Sequence, residues 1–319
     1  MSALTCWTAG WRRVARSPVL VLALWLATVA VTVLPALALR SEIQAQLGDS
    51  LAADAAADRV NYDWWQEFGT TASPLGQSLR TDVIGFAAVM DNTSALADGT
   101  RRAVPVVMAG ALFVLLVWFL TPGLICRMAT GDPNGRRGLL AVSGAFATRM
   151  LRLSLVTSVI YAVLFGGLHA WLFDDLFERA THDVTVERTA FFIRLALYAA
   201  FFALVAFVNL IVDMAKVRLV VEDRHSVFAA LAAGARFVRA NRAVSVGVYL
   251  LNVATLGAVI AAYALVAPGA VTGMWLAFIV GQAFIAGRVA VKLAFWAGAI
   301  DVLQRRFGCQ GVVRAGWSG

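Results

Sequence analysis

Charge is what this chain has little of: Asp, Glu, Lys and Arg make up 14% of 319 residues, against 61% apolar ones. A water-soluble domain cannot cover that much apolar matter with so little polar surface, which excludes an ordinary soluble enzyme or binding module. Cysteine is scarce as well. Cys6, Cys126 and Cys309 stand far apart, with no CxxC and no histidine at zinc spacing, so neither a metal finger nor a redox pair is encoded. His169, His182 and His225 fall on different segments, and no HExxH, paired His/carboxylate or partnered nucleophile occurs. Hydrolysis in a membrane therefore has no visible apparatus. The lack of a GxxxxGK[ST] loop excludes an ATP motor within this chain. No metal, no cofactor and no enzymatic activity are expected.

Long apolar runs are what the chain has instead. A membrane-crossing helix needs about 20 apolar residues, and six segments qualify, at 18–39, 103–126, 153–173, 190–212, 244–266 and 274–300. The first, with three arginines before it and LPALAL before Arg40, also has the outline of a signal peptide. Its apolar run is nevertheless longer than the roughly 7 to 15 residues of a signal core, so it is expected to be a retained helix. The fold expected is an all-α polytopic membrane bundle of six transmembrane helices, with residues 1–319 forming one membrane domain.

Acid and base are sorted along the chain. Residues 41–100 hold nine acids (Glu42, Asp49, Asp54, Asp58, Asp63, Glu67, Asp82, Asp91, Asp98) against Arg59 and Arg80, and 174–188 holds five against Arg179 and Arg188. The alternate connections are basic: Arg12, Arg13 and Arg16; Arg127, Arg136, Arg137, Arg149 and Arg152; Lys216, Arg218, Arg224, Arg236, Arg239 and Arg242; Arg305, Arg306 and Arg314. Lys and Arg mark the cytoplasmic face, which places both termini inside a cell inner (cytoplasmic) membrane and the acidic segments outside. The pI of about 10.1 is then a record of topology and of attraction to anionic headgroups. Nucleic acid is not expected as a partner, because the basic residues are not gathered on one soluble domain.

Two cytoplasmic connections, 138–153 and 226–241, and a shorter one, 8–18, mix apolar residues with arginine at helical spacing. They read as interfacial elbow helices with a basic side toward headgroups. Trp7 and Trp11 are placed as anchors. Each elbow precedes an outward-going helix, which suggests three related units. Pro18 opens the first helix, TPG at 121–123 interrupts the inner end of the second, GDPNG at 131–135 is a turn, and APG at 267–269 closes an outer loop. WRRVARSP before helix 1, DMAKVRLVVEDRHSVFAAL after helix 4 and the elbow before helix 5 together resemble uncharacterised bacterial six-helix integral membrane proteins. These are distantly similar to the membrane domain fused to some glycerophosphodiester phosphodiesterases. The resemblance implies a general plan and no activity, since no catalytic domain of that kind is present.

Ionisable groups at hydrocarbon depth are costly and are the first candidates for function. Arg288 and Lys292 lie four apart on helix 6, hence on one face, about 20 Å and 13 Å above Asp301 at 1.5 Å per residue. Asp213, after Asn209 at the inner end of helix 4, is the best counter-charge, with Glu222 and Asp223 next. Two readings stand open. Arg288 and Lys292 form a structural pair with Asp213 or snorkel to headgroups, or they hold an anionic lipid or substrate, with Asp213 and Asn209 beside them. Arg194, near the outer end of helix 4, is expected to snorkel or to pair with Glu187. Gly166, Gly167, Gly281 and Gly287 suit close helix packing.

The outer segment 41–102 is too long for a bare link and too poor in apolar residues for its own core. Residues 41–68 read as one helix and 84–99 as another. NYDWWQEF at 61–68 sets Tyr62, Trp64, Trp65 and Phe68 in this extracytoplasmic cap. The rings could dock the cap at headgroup level, face a protein partner, or stack a small molecule or sugar with Asp63 and Glu67. The chain thus reads as an accessory or scaffold subunit or a local lipid organiser, with membrane lipids and a membrane protein as possible partners. The alternative is a transporter or lipid-handling protein using Arg288 and Lys292.

Overall fold

A computed structural model describes residues 2–48, 50–58, 61–79, 85–100, 102–131, 138–268 and 273–307. Of the positions named above, Asp49, Arg59, Arg80, Asp82, Arg136, Arg137, Gly269, Cys309, Arg314 and all of the GDPNG turn but Gly131 lie outside them. Among the described residues the chain is helical and contains no strand. In chain order the helices are α1 (Ala3–Ala15), α2 (Pro18–Leu47), α3 (Ala52–Asp58), α4 (Tyr62–Thr71), α5 (Ala87–Asp98), α6 (Val104–Thr130), α7 (Leu139–Ala162), α8 (Phe177–Thr181), α9 (Glu187–Val221), α10 (Val227–Ala240), α11 (Arg242–Val266) and α12 (Met274–Phe307). Two π-helical stretches, Val163–Leu168 and Trp171–Leu176, carry α7 on to α8. Six helices are long and apolar enough to cross a bilayer: α2, α6, the run Leu139–Thr181, α9, α11 and α12. The protein is a multi-pass integral membrane protein built as an all-α bundle.

Several boundaries differ from the sequence reading, each for a local reason. TPG does not interrupt its helix. Pro122 sits inside α6, which is tolerated because a membrane helix can re-satisfy the single backbone bond that proline removes. Gly123 instead marks a close approach, since a Cβ there would lie 2.5 Å from the Leu139 carbonyl oxygen and 2.7 Å from Ser143 Oγ. The elbow expected at 138–153 is no separate helix either: α7 runs unbroken through it, because nothing in that stretch breaks a helix. The elbows at either side are separate. Pro18 occupies the first position of α2, where its missing N–H costs nothing, and Asn241 leaves helical geometry between α10 and α11.

Contacts divide the chain into two compact units. One comprises Met1–Ser17, Trp118–Asn252 and Ala294–Gly319; the other comprises Pro18–Val117 and Val253–Leu293. In the first, the elbow helix α10 starts at Ser226, whose side chain accepts from the Ala229 N–H at 3.3 Å. Its apolar face, Val227, Ala230, Ala233, Gly234, Phe237 and Val238, is buried, while Arg236 and Arg239 are exposed. That face packs on the end of α9, where Val212–Val221 apart from Lys216 is buried. Gly234 permits the approach: a Cβ there would stand 3.0 Å from the Ile211 carbonyl oxygen. Buried Arg218 locks the pair, donating to Glu222 at 2.8 Å and to the Ala233 carbonyl at 2.8 Å. Asp223, at φ 49°, ends α9 and pairs with Arg149 of α7 at 2.5 Å.

The same unit seats α1 on the end of α12. A Cβ on Gly10 would fall 2.9 Å from the Gly298 nitrogen. Arg13 donates to Asp301 at 3.2 Å, to Gln304 at 2.8 Å and to the Met128 carbonyl at 3.1 Å. Gln304 in turn donates to the Ala129 carbonyl at 2.9 Å. Those two carbonyls belong to the last turn of α6 and have no intrahelical donor, so α1 and α12 together cap α6.

In the second unit the cap departs from expectation in one respect. α2 continues past Arg40 to Leu47, and the single helix expected over 41–68 is divided into the end of α2, α3 and α4. Gly48 and Ser50 start the break, since glycine and serine favour turns over helix interiors. α5 occupies most of the second expected helix and stops at Gly99, in left-handed geometry at φ 63°. Glu42 on α2 accepts from the Ser73 N–H at 2.5 Å and its hydroxyl at 2.9 Å, and Gln46 donates to Thr71 at 2.9 Å.

Candidate functional site

The polar residues of the first unit converge on α9. Asn209, Asp213 and Lys216 are spaced by four and three and therefore share a face. Asn209 lies between two tyrosines: Tyr161 donates to its Oδ1 at 3.4 Å, and its Nδ2 donates to the Tyr249 hydroxyl oxygen at 3.1 Å. One turn on, Asp213 Oδ1 accepts from Lys216 Nζ at 2.9 Å and from the Trp296 indole at 3.2 Å. The side chains of this ion pair retain 5% and 13% of their accessible surface. A charge so far from water is tolerated only where a partner and further hydrogen bonds replace its hydration.

Beside Asp213 a cavity of about 20 Å³ is lined by Ser245, Asn252, Tyr249 and Phe295 among others. It has room for roughly one water molecule. The Asn252 amide and the Ser245 hydroxyl are buried and make no hydrogen bond among the described residues. On the Lys216 side, a cavity of about 10 Å³ is lined by Thr121, Ser154 and Thr157 with Trp118, Met150 and Leu153. There Ser154 and Thr157 already donate to the carbonyls of Leu151 and Leu153 at 2.7 Å. The arrangement can hold charge, bind water and cross-link α7, α9, α11 and the end of α12. It presents no nucleophile beside a base, and among the described residues no group of three or more His, Cys, Asp or Glu could hold a metal ion.

The site residues expected from sequence are divided between the two units. Asp213 and Asn209 belong to the cluster above. Arg288 and Lys292 belong to the second unit, where Arg288 is exposed with its guanidinium 5.5 Å from the Phe284 ring centre and Lys292 is half-buried. The reserve acids are engaged elsewhere, Glu222 with Arg218 and Arg224, and Asp223 with Arg149. Arg194 donates to the Tyr198 hydroxyl at 3.3 Å and lies over the Phe177 ring.

The aromatic motif folds into α4. Asn61 caps it, accepting from the Trp64 N–H at 3.2 Å. Trp64, Trp65 and Phe68 then fall on one side as mutual neighbours with centroids 5.1 to 6.3 Å apart, and Phe68 is fully buried. Tyr62 stands apart from them, 68% exposed.

Sequence reasoning missed Lys216 as the partner of Asp213, although the three-residue spacing of DMAK was a visible signal. It also missed Trp296, Tyr161, Tyr249, Ser245 and Asn252, which no spacing links to α9. His169 was set aside as isolated; it is buried between the two π-helical stretches, 4.5 Å from the Phe173 ring and 5.2 Å from the Phe201 ring. Comparison with protein-family models, curated proteins and solved structures finds no match to this chain.

Proposed function

We propose that this integral membrane protein is non-enzymatic and serves as an accessory or scaffold subunit that stabilises a partner complex or organises lipid locally. The observation that carries the reading is that the charged groups of the interior, and Asn209, are met within the protein, while Ser245 and Asn252, which meet no partner among the described residues, face a cavity the size of one water. Asp213 meets Lys216 and Trp296, Asn209 meets two tyrosines, and Asp301 meets Arg13 and Arg305. Cavities of about 20 and 10 Å³ beside them admit water, not an organic solute. Such groups build shape. An enzyme or carrier needs some of them held ready for a substrate. The rival reading, a transporter or lipid-handling protein, draws on Arg288, a cation exposed on a membrane helix. Purification in mild detergent separates the two. A protein in fixed ratio is expected to accompany the chain. An anionic lipid in fixed ratio, lost in the double variant Arg288→Ala with Lys292→Ala while the fold persists, would favour the rival.

The charge pattern supports a cell inner membrane with both termini cytoplasmic and the cap outside. On whole cells, an impermeant maleimide is expected to label a cysteine placed at exposed Gly69 in α4 and to spare one placed at exposed Arg239 in α10. The reverse pattern would invert the threading.

A further inference from the structure

Arg288 poses a question that the interior cluster does not answer. On α12 it stands thirteen residues from Trp275 and seventeen from Arg305, which at 1.5 Å per residue is about 20 Å from an aromatic anchor and about 26 Å from a basic one. A hydrocarbon core of about 30 Å therefore has Arg288 near its middle. Snorkelling operates near helix ends and does not serve a cation at that depth. The side chain is exposed, its one described contact is the Phe284 ring, and no carboxylate among the described residues lies within ion-pair reach of it. A charged group on a lipid-facing surface at mid-bilayer is among the costliest placements in a membrane protein and persists where a counter-charge meets it.

The surface beside it is open at one position. Ala277, Gly281 and Phe284 share its face by helical spacing. A Cβ added at Gly281 would meet nothing within 4 Å, whereas at Gly287, turned away, it would meet Val259 at 3.3 Å. Phe284 is stacked on Tyr263 at 4.1 Å, so the space left beside Arg288 is at Gly281, where a missing side chain lets a second backbone come close.

We infer that Arg288, two turns along α12 from the open position at Gly281, binds a carboxylate on a transmembrane helix of a partner protein. A second copy of this chain does not supply that group. Asp213 is 4% exposed and held by Lys216 and Trp296, and the other acids of the described spans stand toward helix ends. Headgroup phosphates lie at the bilayer edges, too far for the mid-helix position. A guanidinium suits a carboxylate in particular, because its planar fork donates two parallel hydrogen bonds. The inference rests on the scaffold reading and names the chemistry of the partner.

The test uses the full chain in phosphatidylcholine vesicles with a labelled synthetic helix of leucine and alanine bearing one central glutamate, compared with its glutamine twin. By energy transfer at neutral pH, the glutamate helix is expected to bind about tenfold more tightly than the twin. Arg288→Leu is expected to abolish the difference and Arg288→Lys to keep part of it. Each variant is checked for native helicity, with Arg288→Gln replacing any that fails. Equal binding of the two helices, or a preference that survives Arg288→Leu, overturns the inference. So does an anionic phospholipid bound in fixed ratio and lost in Arg288→Leu, which would make the ligand a lipid. If the helices bind equally while a protein still co-purifies in fixed ratio, this inference fails and the scaffold reading stands.

Discussion

Replacing Lys216 with leucine is expected to cost about 3 to 5 kcal/mol of folding stability, the largest single-residue effect in the cluster. The lysine is 2.9 Å from Asp213 and little exposed, so its loss takes a cation away from a carboxylate inside the protein. The leucine itself is well received, since Trp118, Met150 and Leu153 line that side of the ion pair. The test of cause is a second change. Asp213→Asn added to Lys216→Leu removes the negative charge that Lys216 faced and keeps an oxygen to accept from Trp296. Most of the lost stability should return, because a buried ion pair contributes little net stability over a neutral arrangement. Equilibrium unfolding in mixed micelles reads both. A double variant as unstable as the single one would show that the defect is in packing and not in charge.

Asp301→Leu is expected to cost about 2 to 3 kcal/mol, the scale of hydrogen bonds to a charged group, and to loosen α1. Asp301 joins Arg13 of α1 at 3.2 Å and Arg305 at 2.6 Å. Cys6 reports the loosening. It is fully buried, and its thiol is pushed up from 9.0 to about 11, first by burial, then by the charge of Asp301 and a hydrogen bond to it. A thiol that holds its proton more tightly when folded makes the folded state lose stability as pH rises from about 9 to 11, by roughly 3 kcal/mol in all. Below about pH 9 that contribution is fully present. The difference between the wild type and Cys6→Ala across this range isolates it, and in Asp301→Leu the difference should shrink. With Cys126 and Cys309 replaced by serine, maleimide at neutral pH should modify Cys6 slowly in the parent and faster in Asp301→Leu. Equal rates would mean that Asp301 does not hold α1 in place.

Which parts were legible follows from the range of the signals. The six spans were readable because each is a local property: about 20 apolar residues in succession have no other use in a helical protein. The elbow α10 was readable for the same reason, as apolar residues and arginine alternate at helical spacing. The middle elbow was misjudged because periodicity marks which face is apolar and does not mark where a helix stops. Only Pro18 and Asn241 supply stops; α7 has none. The long helix expected over 41–68 failed in the opposite way, because the alanines on either side masked the glycine and serine at 48 and 50.

The candidate site divided along the same line. Asp213 and Asn209 stand out as polar residues in an apolar run, and Lys216 is a local partner within three residues. Trp296, Tyr161 and Tyr249 come from helices 83, 48 and 40 residues distant, and nothing in their own surroundings marks them. Tyrosine and tryptophan at helix ends are ordinary interfacial anchors until the packing supplies an acceptor.

By itself, then, the order of the residues determined that the chain crosses a membrane, how many times, and which connections carry the positive charge, because hydrophobic transfer and charge placement act on each segment separately. Tertiary structure alone decided which buried polar groups on different helices meet. A hydrogen bond is made between atoms within about 3 Å, and that proximity comes from how helices pack, through contacts such as Gly10 on Gly298 and Gly234 on α9, where a missing Cβ permits an approach that composition does not announce.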